Sequence, residues 1–442
     1  MIRRKLQNIC TALGLAAVLL GQGNVFAEAE ITGTFEEAER TETPAEGETS
    51  ARTDTAGITE AEEGVVTNRI PGWPQGDEIL ATAGVVLESS SNVILYNKNM
   101  DVPLYPASAV KIMTTLLALE NSSLSDTVTM TATGVSGVTD GGVSIAAQLD
   151  EEFSMEQCLY AIMLASANDV ALQVAEHIGG SVDGFVEMMN QRAVELGCTN
   201  TVFTNPKGLP DENQHTTAHD LALIMQAAIA NEDFCTISST LSYTIPATNV
   251  SGGERVLTNN LGMLNRSDPA TFYEGCLGGK KGSTTASGTT LVTAAQKNDL
   301  TLICVVLQGK PEDTEIQAMG LLNYGFNNFS LMDLGKNDFD LLSGGIVLAP
   351  AGSTADSFTS EDVPSRQGIF RTYYFSDIPV GTAVIANPVK EDETLSLHAE
   401  ENLEAAREYS EKKSYVPYVV IGVIGGLLLA LVCRRMIKVL RS

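Results

Sequence analysis

Tyr105-Pro106-Ala107-Ser108-Ala109-Val110-Lys111-Ile112-Met113-Thr114-Thr115-Leu116-Leu117-Ala118-Leu119-Glu120 reads as one amphipathic helix with a serine at its start. Pro106 stands where a helix is entered, and Val110, Met113 and Leu117 recur at helical spacing. Ile112, Leu116 and Leu119 widen the stripe to one meant for burial. Ser108 and Lys111 share a face in the first turn, where free backbone N–H groups favour developing negative charge. A serine hydroxyl becomes a nucleophile when a neighbouring base takes its proton, and a desolvated lysine can be that base. A capping serine and a surface lysine give the same short pattern, so its meaning depends on the rest of the chain.

Upstream, Thr82 to Glu88 and Asn92 to Asn97 are β-prone runs separated by Ser89-Ser90-Ser91, which predicts a hairpin leading into this helix. Downstream, Met155 to Ala165 and Val170 to Ile178 carry helical patterns joined by Ser166-Ala167-Asn168-Asp169. Short polar side chains there favour a helix break and a new N-cap, and such a loop can aim Ser166 and Asn168 into a cleft. Thr216 or Thr217 caps the helix that follows. The stretch Leu277-Gly278-Gly279-Lys280-Lys281-Gly282-Ser283-Thr284 then leads to strand-like runs at Gly288 to Ala295 and Leu300 to Leu307. Glycines around Lys280 allow close approach of a ligand to a strand edge.

The order Ser-x-x-Lys, Ser-x-Asn, Lys-x-Gly resembles the D-alanyl-D-alanine carboxypeptidases, low-molecular-mass penicillin-binding proteins of serine peptidase type. The resemblance runs from about Ala81 to about Phe326 and includes Asn205-Pro206-Lys207-Gly208-Leu209, Thr216-Thr217-Ala218 and Leu321-Leu322-Asn323-Tyr324-Gly325-Phe326. It implies an α/β domain like those of β-lactamases and D,D-peptidases, an antiparallel sheet flanked by helices with a helical subdomain. It implies catalytic roles for Ser108 as nucleophile, Lys111 as its base and Ser166 as proton relay. It also implies that Asn168, Lys280, Lys281, Gly282 and Ser283 bind substrate, with the backbone N–H groups of Ser108 and Ser283 as the oxyanion hole. Peptidoglycan stem peptides are the implied substrates, β-lactams the implied inhibitors, and neither metal nor cofactor is needed. The alternatives are a weakened penicillin- or wall-binding protein and a β-lactamase. Two departures bear on carboxylate recognition: Lys281 stands where the family usually has threonine, and Lys310 to Gln317 lacks the arginine often found there. Lys281 could take that arginine's part, although lysine lacks the bidentate fork.

The ends of the chain speak to location. Arg3-Arg4-Lys5, the apolar run Ala12 to Leu20 and Val25-Phe26-Ala27 read as a signal peptide over 1–27. Residues 28–64 hold twelve acidic residues against Arg40 and Arg52 and predict an acidic disordered linker. The net charge of −28 argues against nucleic-acid binding. Tyr415 to Cys433 is apolar and is followed by Arg434, Arg435, Lys438 and Arg441, which predicts a transmembrane helix over 415–433 and a basic cytoplasmic tail over 434–442. The catalytic domain, 65–330, is therefore expected outside a single-pass cell-membrane anchor. A small β-rich domain, 331–396, and a juxtamembrane helix, 397–414, are expected between them. Cys158, Cys198, Cys235, Cys276 and Cys304 lack Cys-x-x-Cys spacing and read as small hydrophobes, and the four histidines show no metal-ligand spacing with them.

Overall fold

The computed structural model describes residues 64–136, 142–336, 340–365 and 368–386. The expected signal peptide, juxtamembrane helix, transmembrane helix and tail, and all but the last residue of the expected linker, lie outside the described residues. Among the described residues no helix is long and apolar enough to cross a membrane.

In chain order the elements are β1 (Ala83–Glu88), β2 (Ile94–Lys98), α1 (Val110–Asn121), β3 (Thr127–Thr129), α2 (Ala132–Ser136), β4 (Glu152–Ser154), α3 (Met155–Met163), α4 (Asn168–Gly179) and α5 (Val182–Glu195). Then come α6 (Ala218–Ile229), α7 (Glu232–Ser239), β5 (Ser242–Ile245), β6 (Arg255–Thr258), β7 (Cys276–Thr284), β8 (Gly288–Lys297), β9 (Leu300–Gly309) and α8 (Thr314–Asn328). The chain closes with β10 (Phe329–Asp333), β11 (Leu341–Pro350), β12 (Thr359–Ser365), β13 (Gly368–Phe375) and β14 (Ile378–Ile385).

The main sheet has the order β2-β1-β9-β8-β7, and every pairing in it is antiparallel. Its central strands are buried at nearly every position because both faces are covered. On one face Val85, Leu87, Val292, Ala294, Ile303 and Val305 join the core around α1, α3, α4 and α6. On the other, Val86, Leu291, Leu302, Cys304 and Val306 pack with Ala318, Leu321 and Leu322 of α8. Helix α1 is buried from Val110 to Ala118, more completely than its one-sided stripe predicts, because helices of the subdomain close over it as well as the sheet.

Helix α8 leads directly into a second antiparallel sheet, β10-β11-β14-β13-β12. Trp73, the chain's only tryptophan, joins the two sheets. Its ring lies 5.0 Å from that of Phe329 and 5.9 Å from that of Phe375, and its indole N–H donates to Leu95 O of the main sheet at 2.9 Å.

Candidate active site

The helix predicted over 105–120 begins differently from its pattern. Ala107–Ala109 form a 3₁₀ turn, and α1 starts only at Val110. Ala107 has φ +48°, a left-handed conformation that an alanine adopts only where its surroundings compel it. Two glycines do so. A Cβ on Gly208 would lie 1.9 Å from Ala107 O, and one on Gly282 would lie 2.6 Å from Ser108 Cβ. The turn that presents Ser108 is thus pressed between the 205–209 loop and β7.

The junction between α3 and α4 supplies the next groups. Helix α3 begins in a capping box of Ser154 and Gln157 and ends at Met163. Helix α4 starts at Asn168, two residues before the predicted pattern, with Ala167 at its N-cap position rather than a polar side chain. Ser166 and Asn168 are therefore free of capping. Ser166, at φ +59°, directs its hydroxyl to Ser108 Oγ at 3.0 Å. Asn168 accepts from Lys111 Nζ through its side-chain oxygen at 2.7 Å, and its backbone N–H donates to Val143 O at 2.7 Å. Lys111 Nζ also donates to Lys207 O.

Lys111 and Lys280 are both buried, at 0% and 1% exposure. Burial holds the Lys111 ammonium well below the ordinary lysine range, the nearby Lys280 and Lys207 ammonium groups add to this, and Asp169 partly opposes it. Lys280 donates to Met163 O at 2.7 Å, and burial lowers its pKa to about 7. Neither buried amine has a carboxylate among its hydrogen-bond acceptors. This arrangement favours the neutral amine, the form that a base for a serine requires.

The structure brings Ser108, Lys111, Ser166, Asn168, Lys280 and Gly282 to one place and leaves Lys281 apart. In β7, Lys280 lies opposite Val292 and Lys281 opposite Leu291, and those partners belong to opposite cores. Lys281 faces α8 and pairs with Glu315 at 3.1 Å, with their side chains 25% and 10% exposed. Side chains alternate along a strand, so Lys281 turns to the face opposite Lys280 and meets the 310–317 segment that lacks the arginine. Ser283 is exposed on the same strand. β7 is an edge strand, and Lys281 O accepts from Asn260 beyond that edge at 3.5 Å. Two residues on, Ser283 presents its N–H to the same open edge.

Several groups organise the site in ways that residue type alone does not reveal. Lys207 and Met163 act through their carbonyl oxygens. Asn205 gathers the 205–209 loop by accepting from the N–H groups of Lys207, Gly208 and Leu209 at 2.8 to 3.2 Å. Thr114 anchors the same loop by donating to Pro206 O at 2.9 Å.

A nucleophilic serine, a dry lysine and a second serine on a helix-flanked antiparallel sheet define a serine hydrolase of the penicillin-binding class. The family description of D-alanyl-D-alanine carboxypeptidase matches residues 71–311, more than half of the chain, and the chain belongs to that family. It is 31% identical to the D-alanyl-D-alanine carboxypeptidase DacF of Bacillus subtilis over 58% of this chain and 65% of that protein, a little under two thirds of its length. It is 32% identical to DacB2 of Mycobacterium tuberculosis, also named as a D-alanyl-D-alanine carboxypeptidase, over 56% of this chain and 82% of that one. The crystal structure of a Mycobacterium tuberculosis D-alanyl-D-alanine carboxypeptidase superposes with a TM-score of 0.53 and 29% identity, covering 58% of this chain and 95% of that one. Penicillin binding protein 6B of Escherichia coli, at 24% identity, shares the fold over 72% of this chain and 98% of its own, with a TM-score of 0.60.

Proposed function

We propose that this protein is a serine-type D-Ala-D-Ala carboxypeptidase that trims the terminal D-alanine from peptidoglycan stem peptides. The observation that carries this reading is the 3.0 Å hydrogen bond between Ser166 Oγ and Ser108 Oγ, beside the buried Lys111. Neutral Lys111 takes the Ser108 proton as Oγ attacks the carbonyl between the two D-alanines. The backbone N–H groups of Ser108 and Ser283 receive the developing oxyanion, and donors of this kind are worth about 3 kcal/mol each. Ser166 passes a proton to the departing amine, free D-alanine leaves, and water hydrolyses the ester on Ser108. Asn168 holds the acyl-side amide, and Lys280 supplies positive charge in the cleft. β-Lactams acylate Ser108 by the same attack, with the ring C–N bond breaking and its nitrogen taking the proton while it stays attached to the acyl group.

In this reading residues 65–330 form the catalytic domain and 331–396 a small β-rich domain. A signal over 1–27 and an anchor over 415–433 keep both outside the cell membrane. The test is release of D-alanine from a pentapeptide by the purified protein, together with labelling by a fluorescent penicillin. Ser108→Ala abolishes both, and labelling that survives this change removes Ser108 from the mechanism.

A further inference from the structure

Thr290 lies within β8 and is wholly buried. On the α1-side face of the same strand, Val292 and Ala294 are apolar and pack into the core. A valine would fill the place of Thr290 without the cost of burying a hydroxyl. The hydroxyl has two acceptors. Thr290 Oγ1 lies 3.1 Å from Pro106 O and 3.3 Å from Gly282 O, the carbonyl of its own ladder partner.

These two carbonyls belong to the two pieces that must be in register for acyl transfer. Pro106 immediately precedes the left-handed Ala107 and the nucleophile, and Gly282 is the β7 residue pressed against Ser108. The turn itself holds Pro106 O only through the Ala109 N–H, at 3.2 Å, which restrains it along the helix axis and not toward the sheet. The single proton of Thr290 is shared between the turn and the strand, and it ties one to the other. The spacing between the Ser108 and Ser283 N–H groups depends on how the turn sits on β7, and both must reach one oxygen.

We infer that Thr290 is a positioning residue that locks the nucleophile turn onto β7 and so sets the geometry of the oxyanion hole. The inference rests on the function proposed above. It separates transition-state geometry from stability: Pro106 O keeps its Ala109 donor and Gly282 O stays in its strand, so the hydroxyl is needed for alignment and not for folding.

The test compares Thr290→Val, Thr290→Ser and the unaltered protein. In Thr290→Val, kcat for a D-Ala-D-Ala peptide falls roughly ten- to a hundredfold, the scale of a small misplacement of reacting groups, while KM changes less than about twofold. Inhibition by a peptide boronic acid, whose tetrahedral adduct puts an oxygen between the two N–H groups, weakens by the same factor, and the melting temperature does not fall. Thr290→Ser restores both. Thr290→Cys, a much weaker donor of similar size, repeats the comparison if the valine variant fails to fold. Unchanged kcat and boronate affinity in Thr290→Val overturn the inference, as does a loss confined to KM or a loss that the serine does not rescue. Failure of the proposed function shows instead in the unaltered protein, as absence of D-alanine release and of penicillin labelling, and it removes the inference as well.

Discussion

Lys280 and Lys281 are neighbours on β7 that look out from its two faces. On the α1 face, Lys280 is dry and donates to a neutral carbonyl, and its pKa falls to about 7. On the α8 face, Lys281 is partly exposed and meets the Glu315 carboxylate. Burial against neutral acceptors leaves an ammonium poised to lose its proton. In the proposed function the same side chain is chemical on one face and structural on the other, and the difference between them is the partner rather than the residue type. Lys111 belongs with Lys280: its acceptors are Asn168 and the Lys207 carbonyl.

The largest effect belongs to that chemical face. Lys111→Met removes the proposed base while keeping an unbranched side chain, and penicillin acylation should fall by at least about a thousandfold. Acylation measured by stopped-flow quenching checks this. A variant that still acylates within tenfold of the unaltered protein would break the distinction between the faces.

Lys280 gives a smaller effect with a definite pH signature. As its charge is lost above a pKa of about 7, kcat/KM for a peptide with a free terminal carboxylate should decline, and Lys280→Met should flatten that limb. The interaction with Lys111 makes the observed midpoints properties of the pair. Stability moves the opposite way. Between about 7 and the ordinary lysine value of 10.5 the unfolded chain holds a proton that the folded one does not, so the contribution of Lys280 to stability rises with pH through that window. Its penalty is complete below it. Lys280→Met should therefore raise the melting temperature more at pH 6 than at pH 9. An equal gain at both would contradict a depressed pKa.

How much of this was legible in the sequence follows from the same contrast. The side chains to which the proposed function gives chemistry recur as short spaced patterns, so Ser108, Lys111, Ser166, Asn168 and Lys280 could be read in order along the chain. The hairpin β1–β2, the strands β7 to β9 and the cap at Thr217 followed from local periodicity and turn chemistry. The helix entry did not, because the turn with the left-handed Ala107 packs against Gly208 and Gly282, residues far away in sequence. The Met163 and Lys207 carbonyls were also illegible, since a backbone acceptor leaves no trace in residue type. The pairing of Lys281 with Glu315 was illegible because the face of Lys281 depends on strand alternation and its partner lies on α8.

The smallest effect on chemistry tests whether the α8 face is structural. Glu315 is 10% exposed, accepts from the Gly262 N–H at 2.7 Å and sits in the first turn of α8, where the helix favours a negative charge. Glu315→Gln keeps the shape and an acceptor while removing the charge opposite Lys281, and penicillin acylation should stay within about twofold because Ser108 lies across the sheet. The loss should appear in urea unfolding instead, on the order of 1–3 kcal/mol for a partly buried charged hydrogen bond. Lys281→Thr should destabilise through the same pair, since it leaves a nearly buried carboxylate with only the Gly262 N–H and the helix. The double variant should then lose less than the two single losses added together, which is the signature of a direct contact. A tenfold change in acylation, in either direction, for Lys281→Thr but not for Glu315→Gln would return Lys281 to the cleft, with the rise or fall deciding whether it obstructs the substrate carboxylate or binds it.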